Sequence, residues 1–373
     1  DKLLKEVSLR ITKCVRETDT VARLGGDEFA VILPDVNRSR IEMIAQNIIN
    51  VLNQAFILDQ NQVEQYISTS IGIVLYPQDG VDIESLMKHA DQAMYKAKLE
   101  GRGRFCYFTR SMQYEAFEKM ILTHHLRNAL GNNELQVYYQ PILDLFCKRI
   151  IKAEALLRWK HPERGMIEPS IFIPLAEESG LIQEIGEWVF QQVCFDIKRW
   201  HNAFGYLIQV SVNVSPIQFK YFSNHSWSAS LAQLGLPGNS INVEITEGLL
   251  LKDASNVKDR LLEYRNAGIE VSIDDFGTGF SSLSYLKKFD IDYLKIDRSF
   301  ISNLINNETD RALVEAIIVM AHKLDINTIA EGVETMEQQD LLIQFGCDYA
   351  QGFYYSEAIS MEAFEKLLVD QQN

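Results

Sequence analysis

The segment IEVSIDDFGTG, residues 269–279, joins a short β-branched run to two adjacent aspartates and a glycine-rich loop. Similar apolar runs recur through the second half of the chain, separated by stretches with helical periodicity. About eight such units in about 250 residues predict a (β/α)8 barrel. The strand candidates are Leu135–Ile142, Ile150–Trp159, Ile208–Val214, Ile241–Thr246, Ile269–Asp274, Tyr293–Ile296, Asn327–Ala330 and Tyr349–Ala350.

Polar side chains stand at or near the carboxyl end of most of these runs. In a barrel those ends converge on one mouth, where the active sites of this fold lie. Carboxylates gathered there repel one another unless cations lie between them, and oxygen ligands suit Mg²⁺ or Mn²⁺. A single acid at a strand end is usually just solvated. The prediction therefore depends on the joint pattern of Glu154, Asn213, Glu244, Asp274, Asp275, Lys295 and Glu331.

The pair Asp274-Asp275 adds a more specific indication. Adjacent acids at a strand end could place one carboxylate between two metal ions. A two-metal site is well suited to the hydrolysis of a phosphodiester.

The composition narrows the class of protein. With 373 residues, 47% of them apolar, the chain can bury more than one core. Its formal charge of −15 argues against a nucleic-acid polymer as partner, because few counterions would be released. The five cysteines are scattered without a CxxC pair, which argues against a disulfide framework or a thiolate zinc site. No apolar run approaches about 20 residues, so we expect a cytoplasmic chain, whose full-length parent could carry a membrane anchor upstream.

Residues 112–373 resemble EAL domains, the cyclic di-GMP phosphodiesterases. The resemblance rests on Glu154-Ala155-Leu156 continued as LRW, with YYQPI, SVNVS, EITE, DDFGTG, LKID, AEGVE and QGF in the order of the family. A bare tripeptide would mean little, whereas this ordered set is specific. It implies a modified (β/α)8 barrel with one antiparallel strand, a two-metal site for Mg²⁺ or Mn²⁺, and hydrolysis of cyclic di-GMP to linear pGpG.

The resemblance also assigns roles to residues. Lys295 would lie near the attacking water and the phosphate. Glu331 would either bind the second metal through water or act as general base, and the sequence leaves these two roles open. The resemblance implies metal binding by Glu154, Asn213, Glu244, Asp274 and Asp275. Asp274 would be the bridging ligand.

Further residues match family positions that contact the ligand or support a loop. Arg158 is expected to hold a phosphate, while Gln140 and Gln351 are weaker candidates for ligand contacts. Glu247 would anchor the DDFGTG loop, whose Gly277 and Gly279 permit movement.

The pattern of residues 1–110 predicts an α+β domain whose sheet contains antiparallel strands. The helix candidates are Leu3–Val15, Ile41–Leu52 and Leu86–Glu100, and the strand candidates are Thr20–Leu24, Glu28–Leu33 and Gln65–Tyr76. Residues 111–131 predict a long helix that ends at Gly131 and joins this domain to the barrel.

The turn LGGDEF, Leu24–Phe29, resembles the signature of GGDEF domains, the diguanylate cyclases. Its Gly25 and Gly26 permit a tight hairpin, and the acids that follow, Asp27 and Glu28, can hold Mg²⁺. The resemblance implies GTP phosphate contacts by Lys98 and Arg102, and a product-inhibition site at Arg16 and Asp19. In the family, the segment before the position of Asp1 carries another metal-binding aspartate and the guanine-recognising residues. We therefore expect residues 1–110, as they stand, not to be an efficient cyclase.

Three functions compete at this point. The first is a hydrolase specific for cyclic di-GMP, with a GGDEF region that binds GTP and regulates the barrel. The second is a receptor that binds cyclic di-GMP without cutting it. The third is a full-length cyclase that the EAL part restrains. A homodimer formed through the EAL domain is a further expectation from the resemblance.

Overall fold

The structure, a computed structural model, describes residues 1–57, 64–220, 227–252, 254–277, 286 and 289–371. The chain divides into two compact units, residues 1–121 and residues 122–373. None of the helices in the described ranges combines the length and the apolar character needed to cross a bilayer.

The first unit is a small α+β arrangement. Its helices are α1 (Lys2–Lys13), α2 (Arg38–Leu52), α3 (Ile83–Leu99) and α4 (Arg110–Ala129), the last of which continues into the second unit. Antiparallel pairs are formed by β1 (Thr20–Gly25) with β2 (Glu28–Ile32) and by β3 (Phe56–Ile57) with β4 (Glu64–Gln65), and a parallel pair by β5 (Ile71–Ile73) with β6 (Phe105–Tyr107). Helices α1 and α2 bury their apolar faces together, with Val7 and Ile11 in one cluster with Ile44 and Ile48.

The predicted strand Gln65–Tyr76 is wrong in extent. Within this range the structure has strand only at Gln65, in β4, and at Ile71–Ile73, in β5, and residues 66–70 and 74–76 belong to neither strand. Strand propensity alone does not make a ladder, because each backbone donor and acceptor needs a partner strand.

The second unit is a closed eight-stranded barrel with one reversed strand. Five parallel pairings run from β8 to β14, β15 continues the parallel series, and β7 closes the barrel by pairing antiparallel with both β8 and β15. This confirms the predicted modified barrel. The barrel strands are β7 (Leu135–Asp144), β8 (Arg149–His161), β10 (Gln209–Asn213), β11 (Ile241–Thr246), β12 (Glu270–Phe276), β13 (Tyr293–Ile296), β14 (Asn327–Ala330) and β15 (Tyr349–Ala350).

Helices cover the outside of the barrel, and two short strands extend its sheet at either side. The short strands are β9 (Gly165–Ile167) and β16 (Ile359–Ser360). The helices are α5 (Pro169–Ser179), α6 (Ile182–Phe204), α7 (Pro216–Lys220), α8 (Trp227–Leu234), α9 (Glu247–Lys252), α10 (Ala254–Asn266), α11 (Arg298–Ser302), α12 (Glu308–Lys323), α13 (Met336–Phe345) and α14 (Met361–Asp370).

Alternation along the strands separates an apolar outer face from a polar interior. Val243 and Ile245 of β11 are buried in the main apolar core, while Asn242, between Ile241 and Val243, belongs to a polar cluster. Its Nδ2 donates to Ser211 Oγ (2.8 Å) and to Ser272 Oγ (2.6 Å) on the two flanking strands. Since side chains alternate with period two, Glu244 shares the inner face with Asn242. The interior is thus polar where it approaches the carboxyl ends of the strands.

Candidate active site

Lys295 lies at the centre of the barrel mouth, surrounded by carboxylates from four other parts of the barrel wall. Its Nζ lies 2.7 Å from Glu244 Oε2 and 2.7 Å from Glu331 Oε1. Asp274 Oδ1 is 3.2 Å away, and Glu154 Oε2 is 3.3 Å away. The lysine side chain is only 1% exposed, so the contacts form in a site with little water.

The parallel register explains why these residues meet. Asn213 lies opposite Glu244 across β10 and β11, and Asp274 of β12 lies opposite Thr246 of β11. Glu331 follows the last residue of β14, and its backbone N–H donates to Ile296 O (3.1 Å). Neighbouring strands therefore bring their last inward side chains to one level of the barrel.

Burial and charge act in opposite directions on Lys295. Burial would lower its pKa, but Glu154, Glu244, Glu331 and Asp274 together raise the pKa well above the ordinary lysine value. The ammonium ion is therefore the stable form here. Its charge offsets part of the repulsion among the acids.

The acids differ in how strongly the site favours their ionised forms. Burial raises the pKa of Glu244 well above its ordinary value, and the charge of Glu154 adds to the shift. Burial also raises the pKa of Glu331 to about 7, although Lys295 opposes that shift. The pKa of Glu154 is lowered: burial would raise it, but Lys295 and hydrogen bonds from neighbouring amides outweigh burial.

Two amide side chains donate hydrogen bonds to Glu154, and a third amide lies behind one of them. Asn213 Nδ2 donates to Glu154 Oε1 (2.7 Å), and Gln351 Nε2 donates to Glu154 Oε2 (2.5 Å). Gln351 Nε2 also lies 3.2 Å from Gln140 Oε1, and Gln140 Nε2 donates to Ser356 O (3.1 Å). The structure thus places Gln140 and Gln351 behind Glu154, and their contact with a ligand stays a prediction.

The donor set fits a hard divalent cation. Asp274, Asp275 and Glu331 offer carboxylate oxygens that all lie within 4.8 Å of one another. Glu244 Oε1 is buried and accepts no hydrogen bond from the described residues. A buried acceptor without a donor is costly, and oxygen-only ligands are what Mg²⁺ and Mn²⁺ prefer.

Asp275 adopts a backbone conformation that is uncommon for a non-glycine residue. Its φ is 54°, and the register of β12 with β13 shifts between Ile273 and Phe276. Such bulges redirect side chains beside active sites. The irregularity lets Asp274 and its neighbour both contribute to the mouth, where strict alternation would have turned one of them away.

Arg158 is half-buried on β8, four residues beyond Glu154. Its Nη1 donates to Leu157 O (3.0 Å), and its guanidinium carbon lies 5.8 Å from the ring centroid of Tyr138. Burial lowers its pKa, with Tyr138 and Glu154 opposing that shift. No carboxylate of the described residues lies within 4.0 Å of its guanidinium. Arg158 therefore forms no ion pair with any described residue.

Glu247, at the start of α9, has both carboxylate oxygens buried and without a hydrogen-bond donor among the described residues. The loop that it was predicted to anchor includes residues 278–285, with Gly279, and these lie outside the described residues. Its anchoring role therefore stays a prediction.

Asp297, the acid of the motif LKID, also lies near the site, although the sequence pattern predicts no role for it. Asp297 caps α11 by accepting from Ser299 N (3.0 Å). Burial is the main cause of a raised pKa at Asp275, and Asp274 and Asp297 add to it. Asp297 lies two residues after Lys295, and alternate residues of a strand share a face. This spacing is the sequence feature that could have predicted that Asp297 lies near the site.

In the first unit, the predicted GGDEF signature forms the turn of the β1–β2 hairpin. Gly26 has a φ of 49°, and Arg23 holds the turn by donating to Gly26 O from Nε (3.0 Å) and Nη2 (2.8 Å). Asp27 and Glu28 are exposed. Glycine permits the left-handed conformation that the turn requires.

The other predicted nucleotide-binding residues of this unit are also exposed or nearly so. Lys98 lies in the last turn of α3, and Arg102 follows it with a φ of 58°. Asp19 accepts from Arg16 N (2.8 Å) and closes a turn before β1. Their binding roles stay predictions.

Comparison with known proteins adds an independent finding. The EAL domain family profile matches residues 123–358, and the profile of the diguanylate cyclase GGDEF domain matches residues 1–104. The bifunctional diguanylate cyclase/cyclic di-GMP phosphodiesterase MucR of Pseudomonas aeruginosa is 40% identical over 363 residues, which cover 97% of this chain and 53% of MucR. The cyclic di-GMP phosphodiesterase PdeR of Escherichia coli is 38% identical over 367 residues, which cover 98% of this chain and 55% of PdeR. This chain thus spans about half the length of these curated relatives.

A solved structure is similar to the second unit. The PaMucR phosphodiesterase in complex with c-di-GMP has a TM-score of 0.63 and 38% sequence identity. The match covers 65% of this chain and 99% of that chain.

Proposed function

The chain belongs to the EAL domain family and carries a GGDEF domain before the barrel, and from this premise we propose that the barrel hydrolyses cyclic di-GMP to linear pGpG with bound metal ions. The observation that carries the proposal is the mouth itself, where Lys295 and four carboxylates meet within 3.3 Å in a nearly dry site. A relative named as a cyclic di-GMP phosphodiesterase and a similar structure in complex with c-di-GMP support the choice of substrate.

Oxygen donors at the strand ends would hold Mg²⁺ or Mn²⁺. Asp274 would be the ligand that both ions share, since its carboxylate lies close to those of Asp275 and Glu331 and also contacts Lys295. When bound, the metal ions supply positive charge that activates water and stabilises charge on the phosphate. The remaining ligands of the proposed site are Glu154, Asn213 and Glu244.

Lys295 would offset negative charge on the phosphate during the reaction. Its position is fixed by four ion pairs, so little reorganisation is needed when the substrate arrives. Burial raises the pKa of Glu331 to about 7 in the metal-free site, and nearby cations would lower it, so that the carboxylate is ionised and can accept a proton. We propose that Glu331 accepts the proton of the attacking water.

Arg158 would bind a phosphate oxygen, because its guanidinium lies beside the mouth without a described carboxylate partner. Gln140 and Gln351 would orient Glu154 through the hydrogen bonds already described, and Gln351 Oε1, which is buried without a described donor, remains for a contact with the ligand. Glu247 would receive the loop that follows Asp275.

For the chain as a whole we propose a cytoplasmic signalling protein. The first unit would bind GTP through the hairpin of Gly25, Gly26, Asp27 and Glu28, with Lys98 and Arg102 at the phosphates, and would thereby regulate the barrel. A homodimer formed through the EAL domain belongs to the same proposal.

The test is the formation of pGpG from cyclic di-GMP by the full chain in the presence of Mn²⁺. Turnover is expected in the wild type and a loss of at least about 100-fold in Glu154→Ala, since an interaction needed in the transition state is removed. A wild type that binds cyclic di-GMP tightly and forms no pGpG would be a receptor, and the proposal would be wrong.

A further inference from the structure

Asn213 lies at the junction of strand β10 and helix α7, and the turn that follows it is unusually well fixed. Val214 N donates to Glu244 O (2.9 Å), which extends the β10–β11 ladder past Asn213 by one residue. Ser215 then caps α7: its Oγ accepts from Ile217 N (3.2 Å), and its own N donates to Gln218 Oε1 (3.0 Å). These two bonds resemble a capping box, except that Ser215 Oγ accepts from the second helical residue rather than the third, and together they hold the entry to the helix in one conformation.

The proton of the Ser215 hydroxyl is directed to another helix. Ser215 Oγ donates to Glu177 Oε1 of α5 at 2.6 Å. A hydroxyl that donates to an ionised carboxylate forms a short hydrogen bond, about twice as strong as a neutral one. Since Ser215 Oγ also accepts from Ile217 N, Glu177 fixes the direction of the hydroxyl as well as its position.

Helix α6 supports the same turn from a second side. A β-carbon at Gly186 would collide with the side-chain amide of Gln218, so glycine lets that side chain lie against α6. Gln218 is only 8% exposed. The turn after Asn213 is thus held between two helices, by the hydrogen bond to Glu177 of α5 and by close packing of Gln218 on α6.

Asn213 depends on this turn, because its side chain is exposed and has little packing of its own. Its Nδ2 is engaged by Glu154 Oε1 at 2.7 Å, which leaves its carbonyl oxygen as the atom offered to a cation. A metal ligand that is not locked by packing needs outer residues to orient it.

We propose that Glu177 is a positioning residue of the metal site, acting on Asn213 through the hydroxyl of Ser215. The inference rests on the proposed function, because it takes Asn213 as a metal ligand. The alternative is a purely structural role, in which Glu177 only stabilises the packing of α5 against the barrel. In that case its loss would lower stability without changing the affinity for metal.

The experiment measures Mn²⁺ affinity directly, by the electron paramagnetic resonance signal of the free ion, in the full chain. Glu177→Ala and Ser215→Ala are each expected to weaken Mn²⁺ binding about tenfold, the lower end of the effect of removing outer-shell partners. Glu177→Gln keeps an oxygen acceptor and is expected to restore affinity to within about threefold of the wild type. The double variant is expected to be no weaker than either single one, because both remove the same interaction.

A matched control lies at the start of the same helix. Glu168 also accepts from a serine hydroxyl, Ser170 Oγ, at 3.3 Å, but this contact is exposed and stays within the first turn of α5. Glu168→Ala is expected to bind Mn²⁺ as the wild type does. Equal affinity in Glu177→Ala and Glu168→Ala, measured well below their unfolding temperatures, would overturn the inference.

Hydrolysis assays on the same variants distinguish a failure of this inference from a failure of the proposed phosphodiesterase function. If Glu177→Ala loses Mn²⁺ affinity and wild type fails to make pGpG, the positioning role stands and the phosphodiesterase does not. If wild type makes pGpG and Glu177→Ala keeps its Mn²⁺ affinity, the phosphodiesterase stands and the positioning role does not.

Discussion

Two buried lysines inside the barrel should differ widely in how much stability is lost when each is replaced by methionine. Lys295 lies at the mouth among four carboxylates and is 1% exposed. Lys152, two residues before Glu154 on β8, is 6% exposed. It donates to Tyr293 Oη (2.6 Å) and to Gln209 Oε1, and it lies 3.9 Å from the centre of the Tyr293 ring.

The electrostatic environments of the two ammonium groups predict the size of each loss of stability. Removal of one partner from a buried ion pair typically costs about 3–5 kcal/mol, because the other charge is left unpaired. Lys295→Met leaves several carboxylates in that state, so we expect about 5 kcal/mol in metal-free protein. This corresponds to a fall of about 10–20 °C in the unfolding midpoint for a unit of this size.

Lys152 is the matched control. Burial lowers its pKa to about 8 from 10.5, which means that the folded state destabilises its charge by about 3 kcal/mol at neutral pH. Lys152→Met removes that cost and also removes two hydrogen bonds of about 1–1.5 kcal/mol each. The two effects nearly cancel, so we expect a change within about 1 kcal/mol.

Tryptophan fluorescence makes the assay specific for the barrel, because all four tryptophans, Trp159, Trp188, Trp200 and Trp227, belong to the second unit. Thermal unfolding of the full chain would be followed with EDTA and with Mn²⁺. Bound Mn²⁺ supplies positive charge at the mouth, so the deficit of Lys295→Met should shrink by at least about half. Equal midpoints for Lys295→Met and Lys152→Met in EDTA would refute this account of the mouth.

Three further predictions follow from the same site. In the folded chain the pKa of Glu331 is raised to about 7, against an ordinary value of 4.5. The folded state therefore keeps a proton that the unfolded state loses between these pH values. The free energy of unfolding of the metal-free protein should fall by about 3 kcal/mol as the pH rises from 4.5 to 7. A flat profile in denaturant titrations with EDTA, or a rising one, would count against the buried Glu331. Ca²⁺ in place of Mn²⁺ should inhibit hydrolysis, because its larger and looser coordination suits in-line attack poorly; undiminished pGpG formation in Ca²⁺ alone would contradict the metal site. Arg158→Lys should raise the KM for cyclic di-GMP about tenfold with a smaller change in kcat, because a bidentate phosphate contact is lost. If Arg158 acted only in the transition state, steady-state kinetics would instead show a large fall in kcat and little change in KM.

The barrel was predictable because its strands are bounded by clear turns and their polar residues recur at the same end. Every predicted barrel strand has its counterpart, and the reversed direction of the first strand agrees with the family resemblance. Parallel strands with converging ends bring Glu154, Glu244 and Asp274 together, whatever the details of their side chains.

The contacts within the mouth were not predictable in the same way. Lys295 was expected near the phosphate, yet its four ion pairs depend on side-chain directions across several strands, which sequence spacing does not fix. The hydrogen bond from Gln351 to Glu154 joins residues 197 positions apart, and no local pattern indicates it. The bond from Ser215 to Glu177 is of the same kind, because the sequence shows the Ser-x-x-Gln pattern of residues 215–218 but not the residue that Ser215 contacts on another helix.

The central claim is that water cleaves a phosphodiester at this mouth, and the most direct measurement is turnover of cyclic di-GMP in heavy-oxygen water with Mn²⁺. The account predicts that mass spectrometry finds pGpG with one heavy oxygen on its terminal phosphate in the wild type and in Lys152→Met. It predicts at least about 100-fold less product from Glu154→Ala, which loses a transition-state contact. Intact cyclic di-GMP in the wild-type reaction, or pGpG formed equally by Glu154→Ala, would contradict it.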